Sequence, residues 1–336
     1  MIFDLNFRWP TLVFELDQLQ RRNNVELIDL LFMTLFLLLL QSILKRHLFT
    51  PLVKRMKKFS QSNRTSVRNS IFEQAYLKSQ IWDRKMIEGL AKQSETSSKE
   101  VKTWLKLKNK QSHYTNKIST SLWRLIYHTA IIAYGTAVFW DKPWFWDIKE
   151  CWVDVYNQKI TNGVWWFFMI SWAHICCSFL TVDTLDFRKK DFFLTLTHHV
   201  VLLEIMWISW KDSMIPYCSI GLFCHDFADI FLQVCKLAKY FDREFLSRIF
   251  FFVFMLVWGI TRLGIFPFYI IKSSVVDLPR VEPIWTTYFY YYAGVICLCL
   301  IQILHCLWTY FIFKVAARLL WHNALFEDPT SDKEAE

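Results

Sequence analysis

The chain has 336 residues, 54% hydrophobic and 18% aromatic, with a formal charge of +9, nine Cys and only 7 Gly. Its mean hydropathy is +0.21. The apolar residues fall in long blocks rather than short amphipathic periods, which excludes an ordinary soluble domain. A helical block of about 20 residues crosses a ~30 Å hydrocarbon core.

Seven such blocks follow in chain order, at about 27–44, 121–140, 163–182, 192–210, 214–235, 247–271 and 287–313. They predict an all-α, polytopic membrane protein of about seven transmembrane helices. Glu26 and Asp29 lead into the first block, and Lys45, Arg46 and His47 follow it. A cleavable signal peptide would place basic residues before the apolar run. Residues 27–48 are therefore read as a retained helix after a lumenal segment, 1–26. Eight Cys lie inside predicted spans and only Cys151 in a loop, so no disulfide framework or paired zinc spacing arises and the Cys are read as buried apolar groups.

The segment from Lys45 to Lys117 holds 18 Lys and Arg against 5 Asp and Glu. Basic residues collect on the cytoplasmic side of a membrane. The loop Arg188-Lys189-Lys190 and the stretch Lys236 to Arg248 are also basic, whereas loops 141–162 and 272–286 are not. Basic and near-neutral loops thus alternate, which puts the N-terminus in the lumen and the C-terminus in the cytosol. The sequon Asn63-Arg64-Thr65 then faces the cytosol and should stay unglycosylated. The acidic tail, 319–336, has no apolar residue but Ala335 from Glu327 on, and its composition is that of a disordered segment.

Spans four and five hold the polar chemistry. The fourth carries His198, His199 and Glu204; the fifth carries His225, Asp226 and Asp229. Ionisable groups at membrane depth cost several kcal/mol unless paired or hydrated, and so point to function. At ~1.5 Å per residue, His198 lies about 9–10 Å in from the cytosolic end and the two Asp about 10–15 Å in, at matching depth. Asp226 and Asp229, three apart, share a helix face. His198 and His199 diverge by about 100°, so one of the two is expected to reach a shared site. Glu204 lies deeper, without an obvious partner. Three His and two Asp also make a donor set for zinc or iron, but the repeated His clusters of membrane di-iron desaturases are absent, and no metal or other cofactor is expected.

The stretch Arg188 to Phe241 resembles the Lag1 motif of animal ceramide synthases, within the TLC domain. The matching elements are Lys190-Asp191-Phe192, His198-His199, His225-Asp226-Phe227-Ala228-Asp229 and, approximately, Lys236-Leu237-Ala238-Lys239-Tyr240. Pro143-Trp144-Phe145-Trp146, Arg262-Leu263 with Phe266-Pro267-Phe268, and Asp328-Pro329 match as well. The resemblance implies a TLC-type transmembrane catalytic domain over 118–318. It also implies that Phe72 to Gln111, within a module at 70–112, is similar to the homeobox-like region of many such enzymes. Three residues after Trp104, where a homeodomain places its adenine-reading Asn, stands Leu107. Leu makes no bidentate contact to adenine, so sequence-specific nucleic acid is not an expected partner, and the basic module is better suited to anionic headgroups.

The reaction implied is transfer of a long-chain acyl group from acyl-CoA to the amine of sphinganine or sphingosine, in the endoplasmic reticulum membrane. Acyl-CoA is then a co-substrate, membrane lipids are neighbours, and a homo- or hetero-dimer is left open. The resemblance carries the catalytic roles to His198, as nucleophile or base, His199, Asp226 and Asp229. Substrate contacts fall to His225, Arg188, Lys189, Lys190, Lys236, Lys239 and Arg262, the loop cations attracting polyanionic CoA. The loop Lys272 to Thr287 is expected to influence chain length. The alternative is a non-catalytic TLC-type protein that senses or binds lipid.

Overall fold

The computed structural model describes residues 24–60, 70–78, 82–155, 158–181, 192–281 and 289–321. The chain divides into two compact units, one of residues 41–123 and one of 1–40 with 124–336. The sequon, the Arg188–Lys190 loop and the tail from 322 lie outside the described residues.

In the smaller unit, a π-turn, Lys45–Phe49, follows α1 (Asn24–Leu44) and leads into α2 (Thr50–Ser60). Helices α3 (Ser70–Lys78) and α4 (Arg84–Gln93) and the start of α5 (Ser98–Phe139) make a three-helix module. Phe72, Ile87, Leu90, Ala91, Val101 and Leu105 are its buried core. Polar groups at its edge are paired: Asp83 caps α4 by accepting from the Met86 N–H at 2.7 Å, and Lys108 Nζ meets both Glu73 carboxylate oxygens at 2.6 and 2.7 Å. Leu107 is exposed on this module.

In the larger unit, α5 from Arg124 onward is followed by a short α6 (Pro143–Trp146) and a 3-10 turn (Ile148–Cys151). Next come α7 (Asn162–Leu180), α8 (Phe192–Lys211), α9 (Ile215–Tyr240) and α10 (Glu244–Trp258). Two π-helical stretches, Gly259–Ile271 and Ser273–Asp277, lead to α11 (Leu278–Val281), and α12 spans Phe289–Trp321. There is no strand among the described residues, so the all-α, polytopic expectation holds. Six helices are long and apolar enough to cross a bilayer: Leu27–Met56, Asn162–Leu180, Phe192–Lys211, Ile215–Tyr240, Glu244–Val281 and Phe289–Leu320.

The seventh expected span, 121–140, is the C-terminal half of the 42-residue α5. It falls short of those six in apolar composition because it carries Arg124 and His128, which line an internal cavity. The expected loop Lys272–Thr287 also differs from the structure. The chain stays helical to Val281, and 282–288 lie outside the described residues.

Close approach between helices is set at Gly135. A Cβ there would sit 2.7 Å from the Phe167 ring and 2.9 Å from that of Phe223, so a methyl group would wedge α5 away from α7 and α9. Beside it, Phe139 is fully buried against Trp144, Phe145, Phe167 and Phe223. The connection after α5 is pinned by hydrogen bonds rather than packing alone. Tyr269 Oη accepts from the Ile148 N–H and donates to the Trp146 carbonyl, and Trp152 Nε1 donates to Ser273 Oγ. Cys151 is buried there, and burial pushes its thiol up, out of the reactive range.

Glycine is scarce, so several helix ends use other residues in left-handed geometry. Glu95, Ser213 and Asp242 have φ of 52°, 64° and 57°. In each case the next residue's N–H closes back on the carbonyl five before it: Thr96 on Ala91, Met214 on Ser209, Arg243 on Ala238. This is the closure that usually selects glycine.

Candidate active site

A cavity of about 490 Å³ lies inside the larger unit, lined by side chains of α5, α7, α8, α9, α10, α12 and the Arg262 segment. That volume is in the ~300–1,000 Å³ range of small-molecule sites. His198, His199, His225, Asp226, Asp229, Lys236 and Arg262 all line it. Two consecutive helices thus bring every intramembrane candidate except Glu204 to one space. Glu204 is exposed on α8 and lies off the cavity lining.

Both His of the adjacent pair border the cavity, contrary to the expectation that one would. A ~100° divergence separates them, but seven surrounding segments make the space wide enough to meet both directions. Their ring centroids are 5.8 Å apart. His198 sits edge-on to Trp308 at 5.1 Å and 6.1 Å from the His225 ring.

His225 is tied up in hydrogen bonds. Its Nδ1 is 2.8 Å from the Gly221 carbonyl, which assigns that nitrogen as the N–H, and its Nε2 is 3.2 Å from His305 Nε2. Nε2 of His225 then accepts from His305, so this ring positions rather than exchanges protons. Arg262 is buried within the long π-helical stretch, a geometry that recurs at functional sites. Its Nη2 donates to the His225 carbonyl at 2.8 Å, and its guanidinium lies 5.3 Å over the Trp258 ring.

His128 on α5, unsuspected from sequence, meets Asp226: Nδ1 and Oδ1 are 2.8 Å apart. His128, Asp226 and Asp229 each offer an atom within 4.8 Å of those of the other two. His128 and Asp226 thus form a hydrogen-bonded dyad beside a second carboxylate. His174, stacked on Tyr127 at 3.4 Å, and fully buried His305 also line the cavity. Span-wise reading missed His128, His174 and His305 because each is a lone His in an apolar run. Their common burial against one space is the signal, and only the fold supplies it.

Buried polar atoms without a hydrogen-bond partner gather here: Nδ1 of His174, His198, His199 and His305, and Nε and Nη1 of Arg262. Each such atom costs ~1–3 kcal/mol when left unpaired, so the cavity is built around polar groups that a ligand would satisfy.

The cavity's charged lining includes Arg124, Lys236, Lys314 and Arg318. Lys236 was foreseen, and Arg124, Lys314 and Arg318 were not. Lys239, on the last turn of α9, does not line the cavity, because three residues beyond Lys236 the helix is ending and turning to α10. Arg188, Lys189 and Lys190 lie outside the described residues.

Residues 117–314 match the TLC domain. The chain is 27% identical to human ceramide synthase 5 over 270 residues, 80% of this chain and 68% of that protein. It is 30% identical to mouse ceramide synthase 3 over 251 residues, 74% of this chain and 64% of that protein. It is 29% identical to the Arabidopsis thaliana ceramide synthase LOH2 over 222 residues, 65% of this chain and 75% of that protein. The chain thus spans roughly two thirds of the length of the curated relatives it matches. The matched region runs from the middle of α5 through most of α12 and holds all the cavity-lining residues except Val315 and Arg318. The chain belongs to the TLC-domain family.

Proposed function

We propose that the chain is a ceramide synthase, an N-acyltransferase that moves a long-chain acyl group from acyl-CoA to the amine of sphinganine or sphingosine. The observation that carries this reading is the convergence of His198, His199, Asp226 and Asp229 on one cavity, with Nδ1 of both His buried and without a protein partner. Both acyl chains dissolve in the bilayer and can reach a space between membrane helices. The Arg124, Lys236, Lys314 and Arg318 side chains give polyanionic CoA an electrostatic entry. On this reading that entry faces the cytosol and the N-terminus the lumen, in keeping with the charge pattern, and the membrane is that of the endoplasmic reticulum, as the family resemblance implies.

Two routes fit the geometry, and the covalent one is favoured. A ring nitrogen of His198 attacks the thioester carbon, the C–S bond breaks, and the imidazole proton goes to the departing CoA thiolate. The amine then attacks the acyl-imidazole, forming the amide C–N bond and restoring the imidazole. Splitting the reaction spares two long chains from aligning at once. In the direct route His198 serves as base while the amine attacks the thioester itself. Asp226 and Asp229 hold the ammonium, and the His225–His305–Arg262 network fixes the wall beside His198.

Purified full-length protein is incubated with sphinganine and C14 to C26 acyl-CoAs, and the N-acyl products are measured by mass spectrometry. Product that disappears in His198→Ala supports the reading. Ligand binding without product for any chain length would make the protein a lipid-binding member of the family instead. Acyl-CoA supplied without amine tests the route: about one equivalent of CoA released, with an acyl adduct on the His198 peptide, supports the covalent path. No release supports direct attack.

A further inference from the structure

We propose that His128 is a second catalytic histidine, the base that takes the proton from the substrate ammonium, while His198 handles the acyl group. The inference rests on the N-acyltransferase reading above and divides the cavity into an acyl side and an amine side.

The ammonium has to lose a proton before nitrogen can attack, and in the covalent route His198 already carries the acyl group at that stage. The proton acceptor therefore belongs to another residue near the carboxylates. Asp226 and Asp229 lie on α9, one turn apart, and His128 reaches them from α5. A carboxylate oxygen only accepts, so the 2.8 Å contact assigns the neutral ring's proton to Nδ1 and leaves the lone pair on Nε2. A carboxylate holding one imidazole nitrogen so that the other acts as base is the geometry used by hydrolytic triads.

The ring is also held in place. It stands edge-on to Tyr127 at 5.3 Å and to His174 at 5.8 Å, and those two stack on each other. Two other His of the cavity are differently committed. His225 has both nitrogens in hydrogen bonds, and His305 donates to it. The charged and titratable groups that face His128 are Arg124 and Tyr127 on its own helix, His174 on α7, and Asp226 and Asp229 on α9.

The step balances as follows. One ammonium proton moves to His128 Nε2, forming an imidazolium that Asp226 stabilises. The freed lone pair attacks the acyl carbon, the C–N bond forms, and the bond to His198 nitrogen breaks. A second proton from the substrate nitrogen goes to that His198 nitrogen, and the His128 proton leaves to solvent.

The test uses full-length protein with His128→Gln, whose amide can still donate to Asp226 but cannot act as a base, and His128→Asn as a second variant. Sphinganine acylation is followed from pH 7 to pH 9, with kcat and the KM for each substrate. The expected result at pH 7 is a fall in kcat of ~10²-fold or more, the usual contribution of a general base, with the KM for acyl-CoA unchanged. The deficit should shrink as pH rises, because solution then supplies free amine, about tenfold more per pH unit while the amine is mostly protonated. CoA release without amine should persist in both variants if the covalent route operates. Wild-type turnover in either variant at pH 7, or an equal loss at pH 7 and pH 9, overturns the role of His128. No sphinganine acylation by wild type would instead remove the underlying function.

Discussion

The three-helix module and the intramembrane cavity handle polar groups in opposite ways. In the module, apolar side chains fill the core and polar ones pair at its edge, as in Lys108 with Glu73 and Asp83 with the Met86 N–H. Around the cavity, His and Arg atoms are buried at membrane depth and left without protein partners. Among its described residues the module leaves one such atom, Trp82 Nε1, whereas six His and Arg atoms collect around the cavity, each at a cost of ~1–3 kcal/mol that packing elsewhere has to offset. The module reads as structure, and the cavity as a site whose unmet hydrogen bonds await a substrate.

That contrast breaks most visibly at His198. His198→Ala should abolish acyl transfer, a loss of more than ~10²-fold for a catalytic base or nucleophile, while the melting temperature stays at or above the wild-type value. A large drop in melting temperature would show that His198 is structural. In the module the order reverses. Leu90→Ala removes a core side chain at a cost of ~2–5 kcal/mol. It should unfold the module, seen as rapid proteolysis within 70–111, while the cavity's residues stay protected.

Gly135 sharpens the comparison from the packing side. Gly135→Ala places a methyl against the Phe167 and Phe223 rings and should destabilise by ~1–3 kcal/mol. Both stability and turnover should fall, because α5 also carries His128. Cys151 offers a smaller, pH-dependent effect. Its folded thiol is raised by burial, so the stability it contributes is whole below the ordinary thiol range, near ~8.5, and is lost as pH rises from there. Cys151→Ala should flatten that alkaline decline in a melting series from pH 7 to pH 10. The smallest effect is expected at Asp242, held at φ 57°. Asp242→Gly relieves left-handed backbone strain worth ~1 kcal/mol, and should raise the melting temperature slightly with turnover unchanged.

Some of this architecture was legible in the residues alone. Apolar blocks of spanning length mark helices whatever their neighbours, because a bilayer leaves the backbone few other ways to satisfy its hydrogen bonds. Six blocks behave so. The block at 121–140 is the instructive departure, since its Arg124 and His128 dilute the apolar signal by facing the cavity. The same applies to the carboxylates and the His pair, conspicuous because charge in an apolar run is costly wherever it lies.

Sequence by itself therefore determined the helical membrane class, the basic segment between the first two blocks, and the candidacy of His198, His199, Asp226 and Asp229. Tertiary structure alone decided which lone histidines count. His128, His174 and His305 come from three helices far apart in the chain, and nothing local distinguishes them from histidines making an ordinary interhelical contact. It also decided that His225 is held by Gly221 and His305, that both members of the His pair reach the cavity, and that Arg124, Lys314 and Arg318 line it while Lys239 does not. The reason is physical. Burial cost is a property of one residue in its segment and can be read in one dimension, whereas hydrogen-bond partnership and a shared cavity depend on distances between segments that only packing sets.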